Sequence, residues 1–306
     1  MKVLITGGAG YVGTKLVKRL VSESSIDKIV VYDNLSKGHH NFFLGDTFEN
    51  KEKIQAVRGD ILDTRQLKKL MKDSDVVVHL AAIVTTPFAN TDPHFYEQVN
   101  HWGTAEVVYC AEESNVSKFI YLSSTSVYGA STEVANENTV PSPSTFYGIS
   151  KLRGEEHTNR LAEKITAINL RGGNVYGYSK SMRFDAVINR FMFDANFTGR
   201  IQIFGNGKQS RAFIHVDHLT DSLTRTITEN VESGTYNLVD KNLQILDLVD
   251  VIKEIYPNLE FLFTNQHMNL RELKISPESK LFDQIQKFSA SDLKSELLEF
   301  KEKFAF

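Results

Sequence analysis

The first half of the chain alternates short runs of β-branched and aliphatic residues with longer stretches whose apolar positions recur every three or four residues. The runs predict strands at 2–6, 28–33, 54–57, 75–80 and 118–123. Each is apolar on consecutive positions, as a strand covered on both faces of a parallel sheet has to be. The stretches between them predict helices near 12–22, 64–72, 92–114 and 145–164. Strands alternating with helices imply βαβ units with right-handed crossovers, hence an α/β fold with a doubly wound parallel sheet. The second half is less regular. A strand at 166–170 leads into a glycine-bearing segment at 171–177, then a helix over 184–196, a strand at 200–204 and a loop at 205–210. Helical patterns return near 217–229, 245–255 and 290–303, with an extended stretch at 235–239. No repeat, low-complexity linker or charge block divides the chain, so a second domain is expected to pack directly on the first.

Composition narrows the function classes. The 306 residues carry 35 basic and 38 acidic side chains, a net charge of −3, which leaves no electrostatic footprint for nucleic acid or an anionic membrane. A single cysteine, Cys110, excludes an internal disulfide and a structural zinc site. No apolar stretch approaches the length of a membrane span, and the apolar run after Lys2 is too short for a signal core. A cytoplasmic protein without a metal is the expectation.

Gly7, Gly10 and Gly13 follow the first strand at GxxGxxG spacing and open the first helix. The chain must turn sharply there, and a pyrophosphate must approach the backbone closely, so side chains are excluded while the free N–H groups of the helix start face the phosphate charge. Asp33 ends the second strand 20 residues after Gly13, where a carboxylate can accept both ribose hydroxyls of adenosine and repel a 2′-phosphate. The cofactor expected is NAD. Asp60, at the end of the third strand, is a weaker candidate beside the adenine.

Tyr147 and Lys151 stand four residues apart on a predicted helix and so emerge on one face. A free tyrosine is only about 0.1% ionised at neutral pH. A neighbouring ammonium and a positive nicotinamide ring favour the phenolate, and lowering its pKa by about three units takes roughly 4 kcal/mol. Such a phenolate takes a proton from a sugar hydroxyl as hydride leaves. Ser124, at the carboxyl edge of the fifth strand, is placed to hold the reacting oxygen.

These residues fall in segments that resemble the extended short-chain dehydrogenase/reductases of the NAD-dependent nucleotide-sugar epimerase/dehydratase group. The matching segments are TGGAGYVG at 6–13, YDNLSKGHHN at 32–41, GDI at 59–61, HLAA at 79–82, VNHWGT at 99–104, SSTSVYG at 123–129, YGISK at 147–151, RGGNVYG at 171–177, FGNGKQSRAFIHVDH at 204–218 and TYNLVD at 235–240. The resemblance implies a Rossmann domain over 1–172, with 212–242 returning to it, and a smaller C-terminal α/β substrate-binding domain from 173–211 and 243–306. It implies a catalytic triad of Ser124, Tyr147 and Lys151. Around the cofactor it places Tyr11 and Val12 in the glycine loop, and Asn34 and Ser36 with Asp33. Asp60 and Ile61 fall at the adenine, Leu80, Ala81 and Ala82 along the dinucleotide, and Asn100 near the inner ribose. On the substrate side it places Thr125 beside Ser124, Asn174 and Arg211 at a diphosphate, Asn189 at the base or its ribose, and Arg271 as a second diphosphate arginine. The substrate implied is a nucleotide-diphosphate sugar, with a UDP, dTDP, GDP or CDP carrier, and the assembly a homodimer through the helices at 92–114 and 145–164.

In the dehydratases of the group, Asp and Glu follow the triad serine or threonine. Here Thr125 and Ser126 stand in those places, and neither is a competent acid or base near neutral pH. Elimination is therefore not expected. The segment YDNLSKGH around Asp33 resembles the NAD-retaining epimerases, so an epimerase resembling the UDP-glucose 4-epimerases is expected, with a net dehydrogenase or 4-ketoreductase as the alternative and a non-catalytic NAD-binding protein below both. His39 and His40 read as solvated loop residues, and His79 and His215 as satisfied core histidines.

Overall fold

The computed structural model describes residues 1–38, 40–45, 47–84, 92–265, 272–289 and 291–306. The first half builds β1 (Lys2–Thr6), α1 (Tyr11–Leu20), β2 (Lys28–Asp33), β3 (Ile54–Arg58), α2 (Thr64–Met71), β4 (Val76–His79), α3 (Pro93–Tyr96), α4 (Gly103–Glu112) and β5 (Lys118–Ser124). The chain then forms β6 (Val134–Ala135), α5 (Phe146–Leu161), β7 (Thr166–Gly172), β8 (Asn174–Tyr176), α6 (Val187–Phe197), β9 (Arg200–Phe204), β10 (Ser210–His215) and α7 (Val216–Thr228). It ends with β11 (Gly234–Leu238), β12 (Lys241–Gln244), α8 (Ile245–Ile255), β13 (Glu260–Thr264), β14 (Lys274–Ile275) and α9 (Leu293–Lys301).

Seven strands form one parallel sheet in the order β11-β7-β5-β4-β1-β2-β3. Side chains alternate across it, and both faces are buried. Val3, Ile5 and Val31 pack beneath α1 and α7, while Leu4, Val30, Val77 and Phe119 pack beneath α2, α4 and α5. The strand order reverses about β1, which pairs with β2 on one side and β4 on the other. Ligand crevices of such sheets open at the carboxyl edge of that switch point. Thr6, Asp33, His79, Ser124 and Gly172 all end their strands on this edge.

A second layer carries its own core, in which Tyr176, Ile188, Phe213, Leu248 and Leu297 are buried. The segment 216–238 returns to the large sheet: α7 packs on α1, with Lys15 and Asp217 3.0 Å apart, and β11 becomes the edge strand beside β7. Its flanking strands β10 and β12 belong instead to a three-stranded sheet with β8.

The structure departs from the sequence expectations in three places. The helix expected over 92–114 contains a wider π turn at 97–102, centred on Asn100. The helix expected from 184 begins at Val187, because Phe184 and Asp185 turn into a cleft. Strands β6, β8, β10, β12, β13 and β14 were not anticipated. β6 and β14 are two residues each and pair across some 140 residues of chain, so no local periodicity announces them.

Candidate active site

A cleft of about 720 Å³ opens at the carboxyl edge of the large sheet, a size typical of a ligand site. Its floor is the glycine loop. A Cβ on Gly7 would lie 2.6 Å from the Ala81 nitrogen, and one on Gly13 would lie 2.6 Å from the Gly7 oxygen, so both positions require glycine. Gly10 caps α1 without a side-chain hydrogen bond, leaving the N–H groups of the first turn directed at the cleft. Tyr11 and Val12 line the same wall. Asp33 ends β2 on the same edge and lines the cleft. Its Oδ2 accepts the Ala9 amide at 3.1 Å and its Oδ1 the Leu35 amide at 2.8 Å, which fixes Leu35 in the left-handed region at φ 59°. Asn34 donates to Asp60 Oδ2 at 3.0 Å, and Ser36 donates its amide to Asn34. Ile61 and the run Leu80, Ala81 and Ala82 complete this end. An uncapped helix start, a cradle that any Cβ would fill and a carboxylate at the end of β2 fit NAD.

Ser124, Tyr147 and Lys151 meet at the other end of the cleft. Thr145 caps α5 by accepting the Gly148 amide at 3.0 Å, so the helix begins just before Tyr147 and aims its first turn into the cleft. Ser124 Oγ accepts the Ser126 amide and donates to the Ser126 hydroxyl, both at 3.1 Å. Lys151 is buried, donates to the Leu122 carbonyl at 2.7 Å and lies 4.5 Å over the Tyr121 ring. Burial lowers its pKa to about 7. Burial also dominates at Tyr147 and pushes the phenol up, against the lowering influence of the Ser124 hydroxyl and the Arg183 charge. The lowering expected of this phenol included a nicotinamide cation beside it, so burial is the influence that such a charge has to overcome.

Thr125 and Asn174 also line the cleft, Asn174 held by a bond from its Nδ2 to the Ala212 carbonyl at 2.9 Å. Three more residues named for the ligand, Asn100, Asn189 and Arg211, are not among those lining the described cleft. Asn100 is fully buried, and its amide clamps the backbone of Ile83, accepting from N–H at 2.7 Å and donating to C=O at 3.0 Å. Asn189 is fully buried as well, accepting from the Gly177 amide at 2.9 Å and donating to the Arg183 carbonyl at 3.0 Å. Each Nδ2 also donates to a buried hydroxyl at 3.2 Å, that of Ser150 for Asn100 and that of Tyr11 for Asn189, so both amides act as braces. Arg211 is absent from the described cleft wall. It is half-buried, and its guanidinium has no hydrogen bond or ion pair among the described residues. Burial lowers its pKa. Arg271 and His39 lie outside the described residues. The sequence reading missed Arg183 and Asp185, which face the cleft paired at 2.7 Å, and Gln98 on the turn before α4. Their signal was present only as the charged segment before α6.

His79 sits between the Thr6 and Thr104 hydroxyls at 2.6 and 2.9 Å, and burial lowers its pKa to about 3. Away from the cleft, His218, Asp240 and Glu296 come together among the described residues. Lys241 lies 2.8 Å from Glu296, and Tyr176 donates to it, so this carboxylate is already neutralised.

Residues 3–238 match the family described as NAD dependent epimerase/dehydratase. A UDP-glucose 4-epimerase from Mycolicibacterium smegmatis is 31% identical over 232 residues, 74% of this chain and 72% of that protein. A dTDP-D-glucose 4,6-dehydratase from Bos taurus is 28% identical over 83% of this chain and 73% of its own length. Among solved structures, the UDP-glucuronic acid 4-epimerase from Bacillus cereus in complex with UDP-glucuronic acid and NAD superposes with a TM-score of 0.85. It is 26% identical and covers 99% of this chain and 98% of the other.

Proposed function

The chain belongs to the NAD dependent epimerase/dehydratase family, and from that premise we propose that it is an NAD-dependent epimerase of a nucleotide-diphosphate sugar, inverting a hydroxyl-bearing carbon through a transient keto-sugar, with C4 as the carbon acted on. The observation that carries the reading is the meeting of Ser124, Tyr147 and Lys151 at one end of the cleft with Thr125 and Ser126 beside them. A dehydratase needs a carboxyl group there to drive elimination. The carboxylates on the described wall lie elsewhere: Asp33 and Asp60 at the ribose end, and Asp185 tied to Arg183.

The chemistry that NAD supplies when bound is reversible hydride transfer, out from and back to the sugar carbon. Tyr147 Oη takes the hydroxyl proton as the hydride leaves and returns it to the ketone oxygen once the sugar has turned over. Ser124 Oγ donates a hydrogen bond to that oxygen as it becomes a carbonyl, and the Lys151 ammonium favours the ionised phenol. The layer containing the large sheet is proposed to hold the cofactor and the second layer the substrate. Asn174 and Arg211 are assigned to the diphosphate, with Arg271 as a further arginine for the same charge. A guanidinium without a partner among the described residues suits a bidentate phosphate contact. A homodimer in the cytoplasm completes the proposal. Trp102 and Tyr109 stand seven residues apart where the π turn passes into α4, and Trp102 is 57% exposed. Trp102→Glu should turn a dimer into a monomer by light scattering.

The deciding experiment is to denature the purified protein and identify the nucleotide released, then assay nucleotide sugars without added cofactor. Near-stoichiometric NAD with epimerised product supports the proposal. Turnover that consumes added cofactor replaces it with a net oxidoreductase. Tyr147→Phe is expected to lower turnover about 10²- to 10⁴-fold, the usual worth of a general base, with NAD affinity retained.

A further inference from the structure

Glu155 follows Lys151 by four residues and Tyr147 by eight, so α5 presents all three along one buried stripe. Its carboxylate is fully used. Oε1 accepts the Ser123 hydroxyl at 2.6 Å and Arg171 Nε at 2.9 Å, and Oε2 accepts Arg171 Nη2 at 2.6 Å. The Glu155 side chain is 2% exposed and that of Arg171 6%. Ser123 and Arg171 are cross-strand neighbours on β5 and β7, and the Tyr128 ring lies 4.7 Å from the guanidinium.

A buried ion pair of this kind is a poor source of stability, because desolvating both charges offsets their attraction and an apolar pair often serves as well. Its placement gives it another use. The last three residues of β5 run from Leu122, whose carbonyl holds Lys151, through Ser123, whose hydroxyl is held by Glu155, to Ser124 in the triad. Helix and strand end are thus tied at two successive residues immediately before the reacting serine.

The charge also matters. Lys151 is faced by Tyr147 and Glu155 from its own helix, by the Tyr121 ring and Leu122 carbonyl from β5, and by His79 from β4. Arg171 on β7 stands beyond Glu155. Burial drives Lys151 toward its neutral form, and the influence opposing it is the Glu155 carboxylate.

We propose that Glu155 is a positioning residue for the reaction: its carboxylate, held by Arg171, fixes the strand end that carries Ser124 and favours the charged form of Lys151 one helical turn before it. The inference rests on the epimerase reading only in taking Ser124 and Lys151 as reacting groups.

The test is a titration of Lys151 in the full chain, with and without NAD, by carbon NMR of lysine-labelled protein, the signal being assigned with Lys151→Arg. Glu155→Gln is expected to lower the Lys151 midpoint by about one pH unit, the size of shift a close opposite charge produces. Glu155→Asp keeps the charge and should leave the midpoint near wild type while lowering kcat, because the shorter side chain loses Ser123. Ser123→Ala should also leave the midpoint in place and lower kcat at unchanged NAD affinity, by roughly three- to tenfold, a modest fraction of what misplacing a reacting group can cost. An unchanged midpoint in Glu155→Gln overturns the electrostatic half of the proposal. Wild-type kcat in both Glu155→Asp and Ser123→Ala overturns the positional half, and this pair decides the matter should Glu155→Gln fail to fold. The titration needs no sugar substrate, so a failed epimerase assay leaves it intact.

Discussion

The Tyr11 hydroxyl donates to the Gly177 carbonyl at 2.5 Å, joining the first turn of the cofactor helix to a residue 166 positions away. Around that bond the two segments interlock. Asn189 accepts the Gly177 amide and reaches the Tyr11 hydroxyl at 3.2 Å, Ser179 donates to the Tyr11 carbonyl at 2.8 Å, and Thr14 meets Ser181 at 3.0 Å. The segment held in this way continues into Met182 and Arg183 on the cleft wall. The glycine loop and this stretch of cleft wall are therefore tied together, and Asn189 is the central brace.

Removing the hydroxyl should be felt at both ends of this latch. Tyr11→Phe leaves the Gly177 carbonyl without its donor in a buried setting, a loss of about 1–3 kcal/mol. Asn189→Leu strands the Gly177 amide and the Arg183 carbonyl together and should cost more. Urea unfolding measures both, and NAD affinity should fall in the same order. Stability equal to wild type in Asn189→Leu would mean that the latch does no holding.

What could be read in the sequence follows from where each partner lies. Gly7, Gly13, Asp33, Ser124, Tyr147 and Lys151 stand at the ends of strongly patterned elements, and their chemistry requires one residue type at one local spacing. Asn100 and Asn189 carry no such signal. An amide that satisfies backbone 17 residues away, as Asn100 does, or 12 residues away, as Asn189 does, looks in sequence like one that binds a ligand. The π turn at 97–102 has the same origin, since Asn100 is gripped by Ile83 and Thr104 bonds the Asn100 carbonyl at 2.6 Å. The direction of the Tyr147 shift was hidden for another reason: residue spacing reports neighbouring charges and says nothing of how much water burial removes.

Besides the ribose contact proposed for it, Asp33 has a structural duty, because it accepts the Ala9 and Leu35 amides. Asp33→Ala should therefore weaken both dinucleotides by loosening the glycine loop. NAD should lose more than NADP, since only NAD also loses a partner for its 2′-hydroxyl. Titration calorimetry with each cofactor checks the ratio of affinities. An unchanged ratio would remove the reading of Asp33 as the selector.

Lys151 makes stability depend on pH. Its folded pKa, about 7, lies below the ordinary 10.5 of a lysine, so between those values the unfolded chain binds more protons and stability rises with pH. Below pH 7 the full penalty of a buried ammonium is present. Lys151→Met should accordingly raise the melting temperature of the ligand-free protein most at pH 6–7, with the gain fading toward pH 10, while turnover is lost. Thermal unfolding of both proteins across that range measures the effect. A gain that does not vary with pH would assign it to packing.

Arg211 poses the same trade on the substrate side. Its guanidinium is half-buried and has no partner among the described residues, and burial lowers its pKa. A buried donor set without an acceptor is costly unless a ligand completes it. Arg211→Met keeps most of the side-chain volume and removes the charge, so the ligand-free protein should unfold at higher urea concentration. Affinity for a nucleoside diphosphate should fall by roughly 10- to 100-fold, the worth of one charge-assisted contact at about 1.5–3 kcal/mol. Affinity for the corresponding nucleoside, which lacks the phosphates, should stay put. Equal losses for nucleoside and diphosphate would move Arg211 from the phosphates to the shape of the pocket.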